Sequence, residues 1–192
     1  MGRAPAAPQQ PIFYYDLGSP WCYIVGETIM SALPVVPEWE PVLASKLTGD
    51  ERQVDPDRSE VERIAAELGL QPLRWPRTWP PDSDRAMLAA TYAKRIGRAV
   101  AFSLAAFRQV FAGGRDLADE NTILIAGAAC EMHPVALTKG IELRSTVQAL
   151  ELAARRAQAA GIRSLPAIQV GDRSYAGVAG LPEAAAALGG RR

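Results

Sequence analysis

The chain has 192 residues, of which 48% are hydrophobic and 22% charged, and its 21 basic residues balance 21 acidic ones. That length supports one good core and leaves little for a second, and the even charge excludes the basic signature of a protein built for nucleic acid or anionic membranes. Two separated cysteines, Cys22 and Cys130, and a single histidine, His133, cannot supply zinc-site spacing, so cysteine chemistry here is monothiol chemistry or depends on a partner.

Met1 to Gln10 is rich in Pro, Ala and Gln and has no apolar segment of the kind a secretory leader needs. Ala6 stands where N-myristoylation requires Ser or Thr, and no apolar run approaches membrane-spanning length. The expectation is a cytoplasmic protein with no nucleic-acid or membrane partner.

Ile12 to Leu17 is apolar and aromatic and stops at Gly18, which predicts a buried strand. Ser19 supplies an N-cap hydroxyl and Pro20 a fixed φ for the first turn of a helix running to Leu33, where Pro34 and Pro37 end it. Trp39 to Leu43 then reads as a second, parallel strand, completing a βαβ unit.

The middle of the chain reads as helical. Ser59 to Leu68 predicts a short helix with Ser59 and Glu62 as a capping box. Gln71 to Asp82 carries Pro72, Pro76, Pro80 and Pro81 with Trp75 and Trp79, and must be an irregular connection pinned by aromatics. Helices follow from Ser83 to Phe111, with a break near Gly97, and from Glu120 to Met132. Cys130 reads as a packed residue of that last helix and His133, before Pro134, as a turn residue.

Val147, Leu150, Ala154 and Ala157 recur at helical spacing between Ile141 and Ala160, and Gly161 stops the helix. Leu165 to Val170 is a strand opening on Pro166, Gly171-Asp172 a turn, Arg173 to Tyr175 a returning strand, and Leu181 to Leu188 a closing helix. The sum is an α/β domain: a mixed sheet whose core spans about 11–45 and 141–190, interrupted by an all-helical insertion at about 55–135.

Phe13 to Tyr23, with Ser19-Pro20-Trp21-Cys22 at its centre, resembles the first strand and active-site helix of DsbA-like thioredoxin-fold proteins. That group includes disulfide oxidoreductases, 2-hydroxychromene-2-carboxylate isomerases and kappa-class glutathione transferases. Ala160 to Ile168 is similar to the segment carrying the family's cis-proline, and Arg115 to Asp119 looks like its acidic turn before the last inserted helix. The resemblance implies a thioredoxin-like fold and a site at Ser19 and Cys22, with Pro20, Trp21, Leu165 and Pro166 binding substrate or thiol. It also implies that the Leu165 main chain faces the active corner, where a peptide or thiol substrate would pair with it.

Within that group the oxidoreductases carry two cysteines in the tetrad, whereas here the first position is Ser19. A serine there resembles the isomerases and kappa transferases, in which the hydroxyl holds a glutathione thiolate. A helix N-terminus favours such an anion, and by the same physics Cys22, one turn along, is a candidate for a thiolate of lowered pKa. The Ser-Asp-Arg run with which kappa transferases grip glutathione is replaced by Gly177-Val178-Ala179-Gly180.

Three functions follow from the resemblance. The first is a thiol oxidoreductase with an atypical monothiol Ser-Pro-Trp-Cys site. The second is an isomerase or transferase using glutathione or another low-molecular-weight thiol on an apolar substrate, and the third is a non-catalytic thioredoxin-like binding module. A peptide thiol is an alternative partner, and a homodimer is compatible with the sequence. Trp75 and Trp79 are candidates to line a pocket between insertion and core.

Overall fold

The computed structural model describes residues 10–48 and 55–189, so most of the Pro/Ala/Gln-rich start lies outside the described residues. Four strands form one mixed sheet in the order β2-β1-β3-β4. Strand β1 (Ile12–Tyr15) pairs in parallel with β2 (Glu38–Pro41), and the register sets Phe13 beside Trp39. On its other side β1 runs antiparallel to β3 (Ala167–Val170), which pairs antiparallel with β4 (Arg173–Ala176).

Alternation along β1 divides the interior in two. Phe13 and Tyr15 face the larger core, where their rings pack on Trp39 at 4.9 and 5.4 Å between centroids. Tyr14 faces the opposite side with Val42, Ala153, Ala157 and Ile162. The larger core takes helix α1 (Pro20–Ala32), and the smaller one is closed by a long helix of the second half, α8 (Arg144–Ala159).

Between β2 and α8 come α2 (Ser45–Thr48), α3 (Arg58–Glu67), α4 (Asp84–Arg95), α5 (Ala99–Phe111), α6 (Glu120–Ala129) and α7 (Pro134–Glu142). Helix α9 (Gly180–Gly189) closes the chain against β3, β4 and α1. The predicted break near Gly97 is real: that residue has φ +75°, and α4 and α5 are separate helices. Among the described residues no helix is long and apolar enough to cross a membrane.

Several local expectations are corrected. The cap of α3 is Asp57, whose carboxylate accepts from the Ser59 and Glu60 amides at 3.0 and 3.3 Å, and Ser59 is already inside the helix. Glu62 is then free for another partner, and its carboxylate accepts the Trp75 indole N–H at 2.6 Å. His133 and Pro134 open α7, which the spacing did not reveal, because Pro fits a first helical turn as well as a bend. Val147 is 39% exposed in spite of its place in the periodic row, and lines a surface pocket with Leu43 and Leu88.

The helices between β2 and α8 are tied to the rest of the fold by charge as well as by packing. Glu40, almost fully buried at the sheet edge, takes Lys94 of α4 at 2.6 Å and Arg156 of α8 at 3.1 Å, while Lys94 also reaches Glu38 at 2.7 Å. Arg108 of α5 holds Glu27 of α1 through two bonds of 2.7 and 2.8 Å. Replacing Glu40 with Gln removes a charge that two cations are built around, and the expected cost is about 1–3 kcal/mol, measurable by urea unfolding. Arg108→Gln, at a more exposed pair, is expected to cost less than about 1 kcal/mol in the same assay.

Candidate active site at the start of helix α1

The corner is built by one residue at each step of the turn from β1 into α1. Ser19 adopts extended backbone angles, φ −96° and ψ 120°, and its Oγ accepts the Cys22 amide at 3.3 Å. Tyr23 donates to the Ser19 carbonyl at 3.1 Å, and Pro20 has no N–H to donate. The Trp21 amide is left as the donor of the first turn without a protein partner among the described residues. An anion placed here meets that N–H, the Ser19 hydroxyl and the positive end of a 13-residue helix.

Asp16 holds the corner from beneath. Its carboxylate is buried and accepts the Gly18 amide at 2.8 Å and the Ala44 amide at 2.9 Å, and it is also hydrogen bonded to Ser83. Its carbonyl accepts the Ser19 amide at 3.1 Å. Burial pushes the Asp16 pKa up, and the Ala44, Gly18 and Ser83 donors oppose that shift. Strand, turn, sheet edge and the entry to α4 therefore meet on one side chain.

Across the corner lies a groove of about 310 Å³ lined by Trp21, Ile64, Leu165, Pro166, Gly177 and Val178. The Leu165–Pro166 peptide is cis, and the Pro166 carbonyl accepts the Gly177 amide at 2.8 Å. The main chain of Leu165 makes no hydrogen bond with other described residues, so its N–H and C=O remain open to a ligand. The wall at Gly177 and Val178 is apolar, as the sequence there implies.

Trp21, Leu165 and Pro166 thus share one groove, while Ser19 and Pro20, which precede Trp21 in the turn, are buried and outside its lining. Cys22 does not join them as a reactive group. It has no exposed surface and points into the main core, where burial pushes its thiol up to about 12; hydrogen bonds with the Ser19 side chain and the Asp16 main chain oppose the shift without cancelling it. The expectation of a lowered Cys22 pKa is corrected: the dipole acts at the mouth of the helix, while the sulfur lies inside the protein. Cys130 is a packed residue, its thiol donating to the Ala126 and Gly127 carbonyls at 3.4 and 3.3 Å.

Trp75 and Trp79 do not line the groove. They stack edge-to-face at 5.3 Å, and Trp75 also packs on Phe111 at 6.4 Å. The insertion reaches the groove through Ile64 of α3 instead, a residue that sequence periodicity could have flagged only as a flank of the buried stripe made by Val61 and Ala65. It reaches the corner through Pro81, whose carbonyl lies 3.4 Å from where a Gly18 Cβ would be. Asp16 was legible only as a strand residue. Among the described residues no cluster of three or more His, Cys, Asp or Glu side chains could hold a metal ion.

The Cys22 thiol is expected to be inert to a soluble disulfide reagent in the native protein at pH 8 and to react on unfolding, as a stopped-flow thiol assay would show. Because the folded pKa lies above the 9.0 of a free thiol, the unfolded chain ionises first. Stability is therefore expected to fall as pH rises from about 9 to about 12, and Cys22→Ala to flatten that loss in alkaline denaturation curves.

Comparison with known proteins matches the chain to the DSBA-like thioredoxin domain over residues 12–189. The structure is similar to a 2-hydroxychromene-2-carboxylate isomerase, with a TM-score of 0.82 and 16% identity over 94% of this chain and 95% of that one. It is also similar to a probable DsbA oxidoreductase from Streptomyces coelicolor, with a TM-score of 0.74 and 16% identity over 95% of this chain and 91% of that one. A third likeness is to the cytosolic disulfide reductase DsbM from Pseudomonas aeruginosa, solved with GSH, with a TM-score of 0.64 and 16% identity over 93% and 96% of the two chains. A search of curated proteins by sequence gave no match.

Proposed function

The chain belongs to the DSBA-like thioredoxin domain family, and we propose that within it this protein is a small-thiol-dependent isomerase or transferase acting on an apolar electrophile. The observation that carries this reading is at the corner: a serine, 6% exposed, caps the start of the helix, and the one nearby cysteine has no exposed surface at all. A redox cycle needs an accessible sulfur on the protein. A thiol-dependent enzyme needs a place to hold someone else's sulfur, and that is what Ser19 and the Trp21 amide provide.

In this reading the thiol gives up its proton to solvent on binding and enters the corner as a thiolate, because the Ser19 hydroxyl and the Trp21 N–H donate to it and the helix dipole favours its charge. The Ser19 Oγ accepts the Cys22 amide, which leaves its hydroxyl proton to be donated, and in this reading a bound thiolate takes it in place of the Cys22 sulfur. The thiolate then adds to an electrophilic carbon of the substrate lying in the groove against Trp21, Ile64 and Val178. In an isomerisation the same carbon–sulfur bond breaks after rotation and the thiolate is returned; in a transfer the bond is kept and a proton or leaving group completes the balance. The open Leu165 main chain orients the ligand as a neighbouring strand would.

Glutathione with 2-hydroxychromene-2-carboxylate, and with a panel of aromatic electrophiles, is the natural first assay. Ser19→Ala is expected to lower kcat/KM by about 10- to 100-fold, the loss of a hydrogen bond to a charged group, whereas Cys22→Ala keeps it within about threefold. Unchanged turnover in Ser19→Ala, or turnover abolished in a folded Cys22→Ala, contradicts the reading. A protein that binds extended peptides at the Leu165 edge but turns over nothing supports the binding-module alternative instead.

A further inference from the structure

A second cavity, of about 170 Å³, opens between the chain just after β2, helix α2, the start of α4 and the first half of α8, and it shares no lining residue with the groove. Leu43, Leu88, Val147 and Leu150 make its apolar wall, and Lys46, Asp84 and Glu151 bring charge to it. Leu43 and Asp84 adjoin Ala44 and Ser83 in sequence, two of the partners that hold Asp16. The cavity is therefore built from the segments that support the corner.

Two observations mark this cavity as a place for a ligand. Val147 continues the helical row of Leu150, Ala154 and Ala157, yet those three are buried and Val147 is 39% exposed, so an apolar side chain that the helix offers for burial stands on an open cavity. The charges around it are also unmatched. Glu27, Glu38, Glu40, Glu60, Glu67 and Glu120 each pair with an arginine or a lysine. Among the described residues Asp84 and Glu151 pair with no cation, and Lys46 pairs with no carboxylate.

Size and charge define the occupant. An apolar cavity of roughly 150 Å³ holds one benzene ring, so a single ring fills this one. Two carboxylates against one ammonium favour a cationic head over an anionic one. The ring leaves water against Leu43, Leu88 and Val147, while the head stays in the solvated mouth and gains a modest attraction there.

We propose that this cavity is a second ligand site of the protein, for a small amine carrying one apolar ring, with its ammonium beside Asp84 and Glu151. The site is independent of the thiol-dependent reading, because none of its residues belongs to the groove or to the turn into α1. A ligand there touches α4, α8 and the chain after β2 together, and so holds in place segments that Asp16 also joins.

NMR titration of the full chain with benzylamine, benzyl alcohol and benzoate tests this, because the three share a ring and differ in the charge of the head. Benzylamine is expected to saturate at millimolar concentrations, about threefold more tightly than the alcohol, with benzoate weaker than both. Glu151→Gln, on the exposed face of α8, is expected to weaken benzylamine by about two- to threefold and leave the alcohol unchanged, and Lys46→Gln to tighten benzylamine by about twofold. Val147→Phe fills the cavity from a half-exposed position and is expected to weaken amine and alcohol alike by at least about tenfold. No saturation by benzylamine up to about 20 mM, tighter binding of benzoate than of benzylamine, or binding untouched by Val147→Phe each overturns the proposal.

Discussion

A buried carboxylate organises this molecule. Asp16 directly follows the first strand, and its oxygens gather the amide of the turn that follows, an amide beyond the neighbouring strand and the serine that opens α4. A polar group so buried is costly unless partners surround it, and here they come from three separate stretches of chain. Folding the insertion onto the sheet and shaping the turn before α1 are therefore one event. Ser19 is held from the same residue, its amide donating to the Asp16 carbonyl at 3.1 Å.

From that anchor the division of labour at the helix start follows. A short turn into a helix that begins with proline leaves few donors, and the Ser19 side chain takes one of them for its own cap. The Trp21 N–H remains without a partner among the described residues, and so does the main chain of Leu165 in the cis-proline loop. Cys22 sits one turn deeper, where α1 meets the aromatic core of Tyr15, Tyr23 and Phe107. Position along the helix separates the two residues chemically: Ser19, 6% exposed, stands at the N-terminal end of the dipole, and Cys22 is wholly enclosed in low dielectric. The sequence motif joins them in one tetrad, and the packing assigns them different work.

The order of elements was legible because it is written in local signals. Gly18 after an aromatic run, Pro20 after a capping serine, Gly97 between two Ala-rich stretches and Gly161 after a periodic one each mark a boundary that the structure keeps. The cap of α3 was misread because Asp57 and Ser59 are both good cap residues two positions apart, and only the tertiary use of Glu62 by Trp75 separates them. The candidate site was half legible. Ser19, Trp21 and Pro166 could be named from motif positions, but the burial of Cys22 depends on α5 and its phenylalanines, some eighty residues away. The placements of Asp16 and Ile64 likewise arise from contacts between distant segments, which no spacing rule carries.

The central claim is that the corner at Ser19 ionises a thiol that belongs to a ligand and not to the protein. The most direct measurement is the ultraviolet thiolate absorbance of glutathione, titrated with pH in the presence of excess Cys22→Ala protein, where no protein sulfur at this corner contributes. The account predicts that bound glutathione ionises at least one pH unit below the free thiol, about a tenfold gain in thiolate at neutral pH, and that a further Ser19→Ala change removes most of that shift. A bound thiol that titrates like the free one would contradict it.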